Sequence, residues 1–124
     1  MKKKAMVVPS PGIDILEISR VRTAARRYGH RFLNKIFTGR ELRRLPKRNR
    51  TLYYALGFSF KEAIWKALPE RLQKETGFTT IEIFWRGGRP SALVKGTKYP
   101  LLLTHVRQDD VVLAVAVLVS QENS

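Results

Sequence analysis

The chain has 124 residues, a length that fits one domain with its own hydrophobic core. It contains no cysteine, which excludes disulfides and thiolate metal sites. Its 24 lysine and arginine residues against 10 acidic ones give a net charge of +14, so we expect an anionic partner or substrate. Charge alone leaves open a nucleic acid, an acidic protein, a membrane surface or a polyphosphate cofactor. We expect residues 1–124 to form a single domain.

The N-terminus begins like a secretory signal peptide but does not continue as one. Three lysines precede an apolar stretch of only four residues, which ends at Pro9 and is too short for the core of a signal peptide. No other run approaches the ~18 apolar residues that a membrane span requires. These features predict a soluble cytoplasmic protein.

The first half of the chain predicts a strand followed by helices. Extended segments are expected at 5–8 and 13–18, with a turn at 9–12 between them. Ser19 is a candidate N-cap, and Thr38 with Glu41 forms a capping-box pattern. Helices are expected over residues 19–28, 31–37, 38–46 and 51–68.

The second half predicts a polar loop at 70–77 and then a run of strands. Alternating apolar residues predict strands over 78–85, 91–94, 101–106 and 111–119, with turns at 86–89 and 107–110. The last strand is apolar on both faces, so it lies either at the centre of the sheet or against another subunit. The order of elements favours an α+β fold with an antiparallel sheet packed on the long buried helix.

Three charged residues interrupt the long apolar helix: Lys61, Glu62 and Lys66. Charges on a buried helix are costly unless they are paired or face a cleft. Glu62 and Lys66 are four residues apart and share a helical face, and upstream Asp14 sits inside another apolar stretch. Taken alone, Glu62 and Lys66 could be an ordinary helical ion pair, and Asp14 could be a carboxylate at the end of a strand. Together they suit a metal-assisted phosphate site.

A concentrated basic segment runs from Arg20 to Arg50. It contains 12 lysine or arginine residues and a single acid, Glu41. Such a stretch is usually a solvated helical face, but the repulsion within this one is nearly unrelieved. An anionic partner would relieve this repulsion.

Six short segments, taken in chain order, match a known pattern. They are Gly12-Ile13-Asp14, Arg31-Phe32, Phe37-Thr38-Gly39-Arg40-Glu41-Leu42, Lys61-Glu62-Ala63-x-x-Lys66-Ala67, Gly88-Arg89-Pro90 and Thr104-His105. Their order and spacing resemble the holo-acyl-carrier-protein synthases, which are small 4′-phosphopantetheinyl transferases. The resemblance extends from about Gly12 to Val119.

The resemblance implies the 4′-phosphopantetheinyl transferase fold and a reaction. The phosphopantetheine arm of coenzyme A passes to a serine of an acidic acyl carrier protein, with Mg²⁺, and adenosine 3′,5′-bisphosphate is released. It also implies a homotrimer with each active site between two subunits. It leaves open whether the carrier serves fatty-acid, polyketide or other synthesis.

The resemblance also implies roles for individual residues. Asp14 and Glu62 would hold Mg²⁺, and Lys66 would neutralise the leaving group. Lys61 would contact phosphate, while His105 and Thr104 would bind the nucleotide end of coenzyme A from a neighbouring subunit. Either Glu62 or a metal-bound water would take the serine proton. The residues that would dock the carrier are Arg20, Arg27 and Arg31.

The chain departs from the family at three places near the site, one of which is Leu102, where a serine often stands two residues before Thr104. Residues 69–72 replace a small Gly-Thr-Gly-like loop after the long helix, and Gly57 stands where an arginine often grips the 3′-phosphate. Arg50, or its neighbours Lys47 and Arg48, would take over that contact.

The alternative interpretation is a non-enzymatic basic module that binds nucleic acid or an acidic protein. No helix-turn-helix, zinc-finger or RNA-recognition pattern supports nucleic-acid binding. A third interpretation, an inactive carrier-binding subunit, does not explain why Asp14, Glu62 and Lys66 are all present. We therefore expect an enzyme.

Overall fold

The computed structural model describes residues 5–123, with side chains from 9 to 119. Its helices are α1 (Ile18–Tyr28), α2 (His30–Ile36), α3 (Gly39–Arg44), α4 (Arg50–Ala67), α5 (Glu70–Glu75) and a 3₁₀ turn at Phe78–Thr80. Its strands are β1 (Ala5–Glu17), β2 (Ile81–Arg86), β3 (Arg89–Val94), β4 (Leu101–Gln108) and β5 (Val111–Asn123). Within these residues no helix combines the length and apolarity needed to cross a membrane.

The strands form two antiparallel sheets. One has the order β1-β5-β4, and the other is the β2–β3 hairpin. The long helix α4 packs on β1 and β5, so the expected α+β fold with an antiparallel sheet on a buried helix is confirmed. The final strand, β5, lies at the centre of its sheet, which was one of the two predicted positions.

The core lies between α4 and the inner face of the β1-β5-β4 sheet. Phe60 and Ile64 of α4 are fully buried there, and the small residues Ala114 and Ala116 of β5 let the helix approach the sheet closely. A helix buried along most of its length is the structure that its nearly unbroken apolar sequence predicts.

The N-terminal segment differs from its prediction. The expected turn at 9–12 is absent, and β1 runs continuously through Pro9 and Pro11, which pair with Val119 and Val117. Proline lacks the N–H that a strand with two neighbours would donate. β1 is an edge strand of its sheet, so its free side tolerates both prolines.

Two further predictions are corrected. Ser19 is not an N-cap: α1 begins at Ile18, and the Ser19 hydroxyl instead donates to Asp110 Oδ2 at 2.5 Å. The polar segment 70–77, expected to be a loop, contains the short helix α5. The capping box between Thr38 and Glu41 is present as predicted.

β1 lies directly along α4 over two helical turns. Ser10 Oγ donates to the Ala67 carbonyl at 2.8 Å, and Ser59 Oγ donates to Asp14 Oδ2 at 2.8 Å. Between them, a Cβ on Gly12 would lie only 1.9 Å from the Ala63 carbonyl oxygen. Every second residue of a strand advances about 6.6 Å, and every fourth residue of a helix advances about 6 Å. Because these two repeats are similar, Ser10, Gly12 and Asp14 each lie beside a successive turn of α4. This contact sets Asp14 beside α4.

We predict that Gly12→Ala lowers the stability of the protein by roughly 1–3 kcal/mol or more, because its methyl group meets backbone that cannot rotate away. Chemical denaturation measures the effect. Gly77→Ala is the matched control: Gly77 has a φ of −140° and no atom within 4 Å of an added Cβ. Equal stability of the two variants would contradict the close contact of β1 with α4.

Candidate active site

The structure brings Asp14, Glu62 and Lys66 together. Glu62 and Lys66 project from one face of α4, and β1 carries Asp14 to that face. Lys66 Nζ lies 3.6 Å from Asp14 Oδ1 and donates to the Ile13 carbonyl at 3.0 Å. The side chain of Lys66 is about half exposed, so the cluster opens to solvent.

Ser59 is a site residue that the sequence did not reveal. It is fully buried on α4, three residues before Glu62, and its hydroxyl donates to Asp14 Oδ2 at 2.8 Å. This bond fixes the carboxylate and turns Oδ1 toward Lys66. The only sequence signal was a polar residue within an apolar helix.

Glu62 experiences the negative charge of Asp14. Burial raises the pKa of the Glu62 carboxyl, the Asp14 carboxylate raises this pKa further, and Lys66 opposes both effects. Two carboxylates that repel each other in a partly buried site would gain from a bound cation.

The donor set fits Mg²⁺. This ion prefers hard oxygen ligands and is usually held by one or two carboxylates, with phosphates and water completing its shell. Within the described part of the chain there is no cluster of three or more histidine, cysteine, aspartate or glutamate side chains arranged to hold a metal. Asp14 and Glu62 are the two carboxylates that would hold the ion.

Lys61 does not join this cluster. Its ammonium group is buried, donates at 2.7 Å to both Glu41 Oε1 and the Phe78 carbonyl, and also contacts the Ile81 carbonyl. An ammonium has three N–H groups, and all three are used. This position does not fit the predicted phosphate contact. Lys61 instead ties α4 to α3 and β2, because Glu41 also accepts the Ile83 N–H at 2.8 Å.

His105 and Thr104 project from opposite faces of β4, and among the described side chains neither forms a hydrogen bond or an ion pair with Asp14. The His105 ring packs edge-on against Phe60 and Trp85, with centroid distances of 5.7 and 5.8 Å, and burial lowers its pKa. Thr104 lies on the exposed outer face. Their nucleotide-binding roles across a subunit boundary stay predictions.

Arg50 is also remote from the carboxylates within one chain. It begins α4, twelve residues before Glu62, so it lies about 18 Å away along the helix axis. Its Nε donates to the Tyr54 hydroxyl at 3.2 Å. With Arg22 and Arg107 it lines a separate cavity of about 260 Å³.

The structure explains why glycine stands at position 57. A Cβ at this position would lie 2.8 Å from Cε1 of the Phe37 ring. Phe37 therefore occupies the space into which a longer side chain would extend. Any side chain at position 57 would require the Phe37 ring to shift.

The predicted carrier-docking residues Arg20, Arg27 and Arg31 are exposed on α1 and α2. Among the described side chains none of the three forms an ion pair. They offer unneutralised positive charge on one helical region.

The comparisons with known proteins agree with this geometry. The model of the 4′-phosphopantetheinyl transferase superfamily matches residues 10–116. This chain belongs to that superfamily. The match includes Asp14 of β1 and all of α4, with Glu62 and Lys66.

Relatives similar to this chain over most of its length are named as synthases. The holo-[acyl-carrier-protein] synthase of Chlamydia muridarum is 35% identical over 114 residues, which cover 85% of this chain and 91% of that protein. That of Dehalococcoides mccartyi is 37% identical over 119 residues, covering 90% and 97%. A crystal structure of a Bacillus anthracis holo-(acyl-carrier-protein) synthase in complex with CoA (3′,5′-ADP) has a TM-score of 0.73 and 27% identity, covering 93% of this chain and 99% of that one.

These matches confirm the predicted family, its fold and the assignment as an enzyme. They decide against the alternative of a non-enzymatic basic module. The observed site of this transferase differs from the predicted site at two residues. Ser59 was not predicted to contact Asp14, and Lys61 is buried in the core.

We predict that Ser59→Ala lowers the affinity for Mg²⁺ by ~10- to 100-fold, because a group that orients a metal ligand contributes about this much. Calorimetric titration of Mg²⁺ in the presence of coenzyme A measures the loss. Ser91→Ala, at an exposed position on β3, is the control and should bind normally. Unchanged Mg²⁺ affinity in Ser59→Ala would remove Ser59 from the site.

Proposed function

We propose that this chain transfers the 4′-phosphopantetheine arm of coenzyme A to a serine of an acidic acyl carrier protein, with Mg²⁺ held by Asp14 and Glu62. The observation that carries the proposal is the convergence of Asp14, Glu62 and Lys66 on one strand–helix contact. The relatives that share this superfamily are named as synthases of the same reaction type.

In the proposed reaction the serine oxygen forms a bond to the phosphorus that bears the pantetheine arm. The pyrophosphate bond to this phosphorus breaks, and adenosine 3′,5′-bisphosphate leaves. Mg²⁺, when bound, supplies neutralisation of the charge on the pyrophosphate oxygens. Such transfers depend mainly on positioning and on charge stabilisation.

Lys66 is suited to the leaving group. Two of its N–H groups face the Ile13 carbonyl and Asp14, so the third is free to donate to an oxygen of the ligand. Its half-exposed side chain lies at the edge of the cluster, where a large ligand enters. Lys66 thereby places a positive charge where negative charge develops.

The carrier protein would dock on the exposed arginines of α1 and α2. Arg20, Arg27 and Arg31 present positive charge that an acidic helix complements. Complementary charge of this kind chiefly raises the rate of encounter and selects the partner.

Incubation with coenzyme A, Mg²⁺ and an apo carrier protein should add one phosphopantetheine group, measured as a mass increase of the carrier. Glu62→Gln should lower the rate by roughly 100-fold or more, because several kcal/mol of charge stabilisation depend on the ion it holds. Glu70→Gln, at an exposed position on α5, should transfer normally. Full activity of Glu62→Gln would refute the metal assignment. Absence of transfer to any apo carrier protein would contradict the proposed reaction.

We further propose a homotrimer. The outer face of the β1-β5-β4 sheet is apolar, and among the residues that the structure describes no element covers it: Ile13, Ile15, Leu102 and Val106 are 52–65% exposed. Neighbouring residues of β5 continue this face, since Val115 pairs with Ile13 and with Thr104. An apolar surface of this kind favours burial against other subunits. It is the reverse side of the strand that carries Asp14.

We predict that Leu102→Lys dissociates the assembly, because the added charge would be buried in the subunit interface. Leu102 is 64% exposed in the single chain, so the fold itself should persist. Analytical ultracentrifugation should give three times 14.3 kDa for the unchanged protein and 14.3 kDa for the variant. Tyr28→Lys places the same charge at another exposed apolar position, away from this face, and should stay trimeric. A monomeric unchanged protein would contradict the proposal.

A further inference from the structure

The start of α1 is held by the turn between β4 and β5, far away in the sequence. The Asp110 carbonyl accepts the Ile18 N–H at 2.6 Å. The Asp110 carboxylate accepts the Ser19 N–H at 3.1 Å and the Ser19 hydroxyl at 2.5 Å. These bonds satisfy two of the N–H groups that the first turn of a helix leaves without a partner. Asp110 thus does from a distant turn what an N-cap residue does from within the helix.

α1 does not provide this cap itself. Among the residues that the structure describes, its N-cap residue Glu17 makes no side-chain capping bond, and the first turn of α1 contains no acidic residue. Arg20 and Arg22 instead add positive charge near the N-terminus, where the helix dipole is already positive. The Asp110 carboxylate supplies the negative charge that stabilises this end of α1.

The apolar contacts of α1 are also concentrated at its start. α1 has 11 residues, and the two that are buried are Ile18 and Val21, which pack on Ala55, Leu56 and Val112. A helix of fewer than ~12 residues is marginal on its own. The first turn, with its buried residues and its cap, therefore sets the direction in which the rest of α1 points.

We propose that Asp110 is a positioning residue for the carrier protein: by capping α1 from the β4–β5 turn, it sets the docking arginines of α1 relative to Asp14. The inference rests on the proposed function, in which the carrier docks on α1. α1 begins at Ile18, directly after the strand that carries Asp14, and Arg20 follows Ser19, to which Asp110 is bonded. A change in the direction of α1 would therefore displace the docked carrier serine from the site.

The site itself does not depend on this cap. Asp14 is fixed by the Ser59 hydroxyl and by Lys66, and β1 pairs with β5 along its whole length. Among the described side chains, that of Asp110 bonds Ser19 and no residue of the site. Loss of the Asp110 carboxylate should thus weaken carrier docking and leave coenzyme A binding and the chemical step unchanged.

The test compares two neighbouring aspartates. Asp110→Ala removes the capping carboxylate. We expect it to raise the KM for an apo carrier protein by roughly 3- to 10-fold, the factor that corresponds to loss of a helix cap, and to change kcat and the KM for coenzyme A by less than about 2-fold. Removing a negative charge by itself favours an acidic carrier, so a raised KM has the opposite sign to a purely electrostatic effect.

Asp109→Asn is the matched control. It removes the same charge from an exposed side chain that forms no hydrogen bond with any other described side chain, and asparagine tolerates the positive φ of 53° at this position. The KM of Asp109→Asn for the carrier should not rise.

A graded variant keeps the test independent of folding. The amide oxygen in Asp110→Asn still accepts the Ser19 N–H, so its KM for the carrier should lie between those of the unchanged protein and of Asp110→Ala. If Asp110→Ala does not fold, Asp110→Asn and Asp109→Asn, the same substitution at adjacent positions, give the comparison. Ser19→Ala combined with Asp110→Ala should be no worse than Asp110→Ala alone, because both remove the same contact.

A second measurement does not depend on turnover. An apo carrier protein whose reacting serine is replaced by alanine cannot be modified, and calorimetry gives its Kd for the unchanged protein and for each variant. We expect this Kd to rise in Asp110→Ala by the same factor as the KM.

Three results would overturn the inference while leaving the transferase function intact. These are an unchanged KM and Kd for the carrier in the Asp110 variants, an equal rise in the KM for coenzyme A, and a rise in Asp109→Asn as large as that in Asp110→Asn. Absence of transfer by the unchanged protein would overturn both the inference and the proposed function.

Discussion

The contact between β1 and α4 is the constraint on which the site depends. Ser10, Gly12 and Asp14 follow one side of the strand and meet Ala67, Ala63 and Ser59 on successive turns of the helix. The approach is possible because Gly12 has no side chain. Since the two carboxylates come from two different elements, any separation of strand and helix would also separate Asp14 from Glu62.

A second anchor fixes the rotation of α4 about its own axis. The buried Lys61–Glu41 pair joins the helix to α3 and β2 through the Ile81 carbonyl and the Ile83 N–H. Removing one partner would leave an unpaired charge in the core, which typically costs about 3–5 kcal/mol. Glu62 follows Lys61 directly in the sequence. The ion pair with Glu41 that holds Lys61 in the core therefore also keeps Glu62 directed toward the cleft.

The sequence predicted the fold and the central cluster because both follow from local patterns. Apolar periodicity identified α4 and β5, and charges inside apolar runs identified Asp14, Glu62 and Lys66. Features that depend on distant partners were not predictable: β1 continues through Pro9 because it is an edge strand, and Ser59 matters only because Asp14 lies opposite it. Lys61 was misjudged for the same reason, since its partner Glu41 is twenty residues away.

The different directions in which the side chains of α4 point explain why so short a segment carries so much of the function. Phe60 points into the core toward Trp85 and His105, and Lys61 points toward Glu41. Glu62 lies near Asp14, and Trp65 lines a cavity of about 300 Å³ together with Phe78 and Ile81. Successive residues of a helix are about 100° apart, so neighbours in the sequence reach different surroundings. A helix with one apolar stripe would leave most of these directions in solvent. Burial of α4 on nearly all sides therefore lets adjacent residues contribute to the core, to the buried ion pair, to the carboxylate cluster with Asp14 and to a cavity wall.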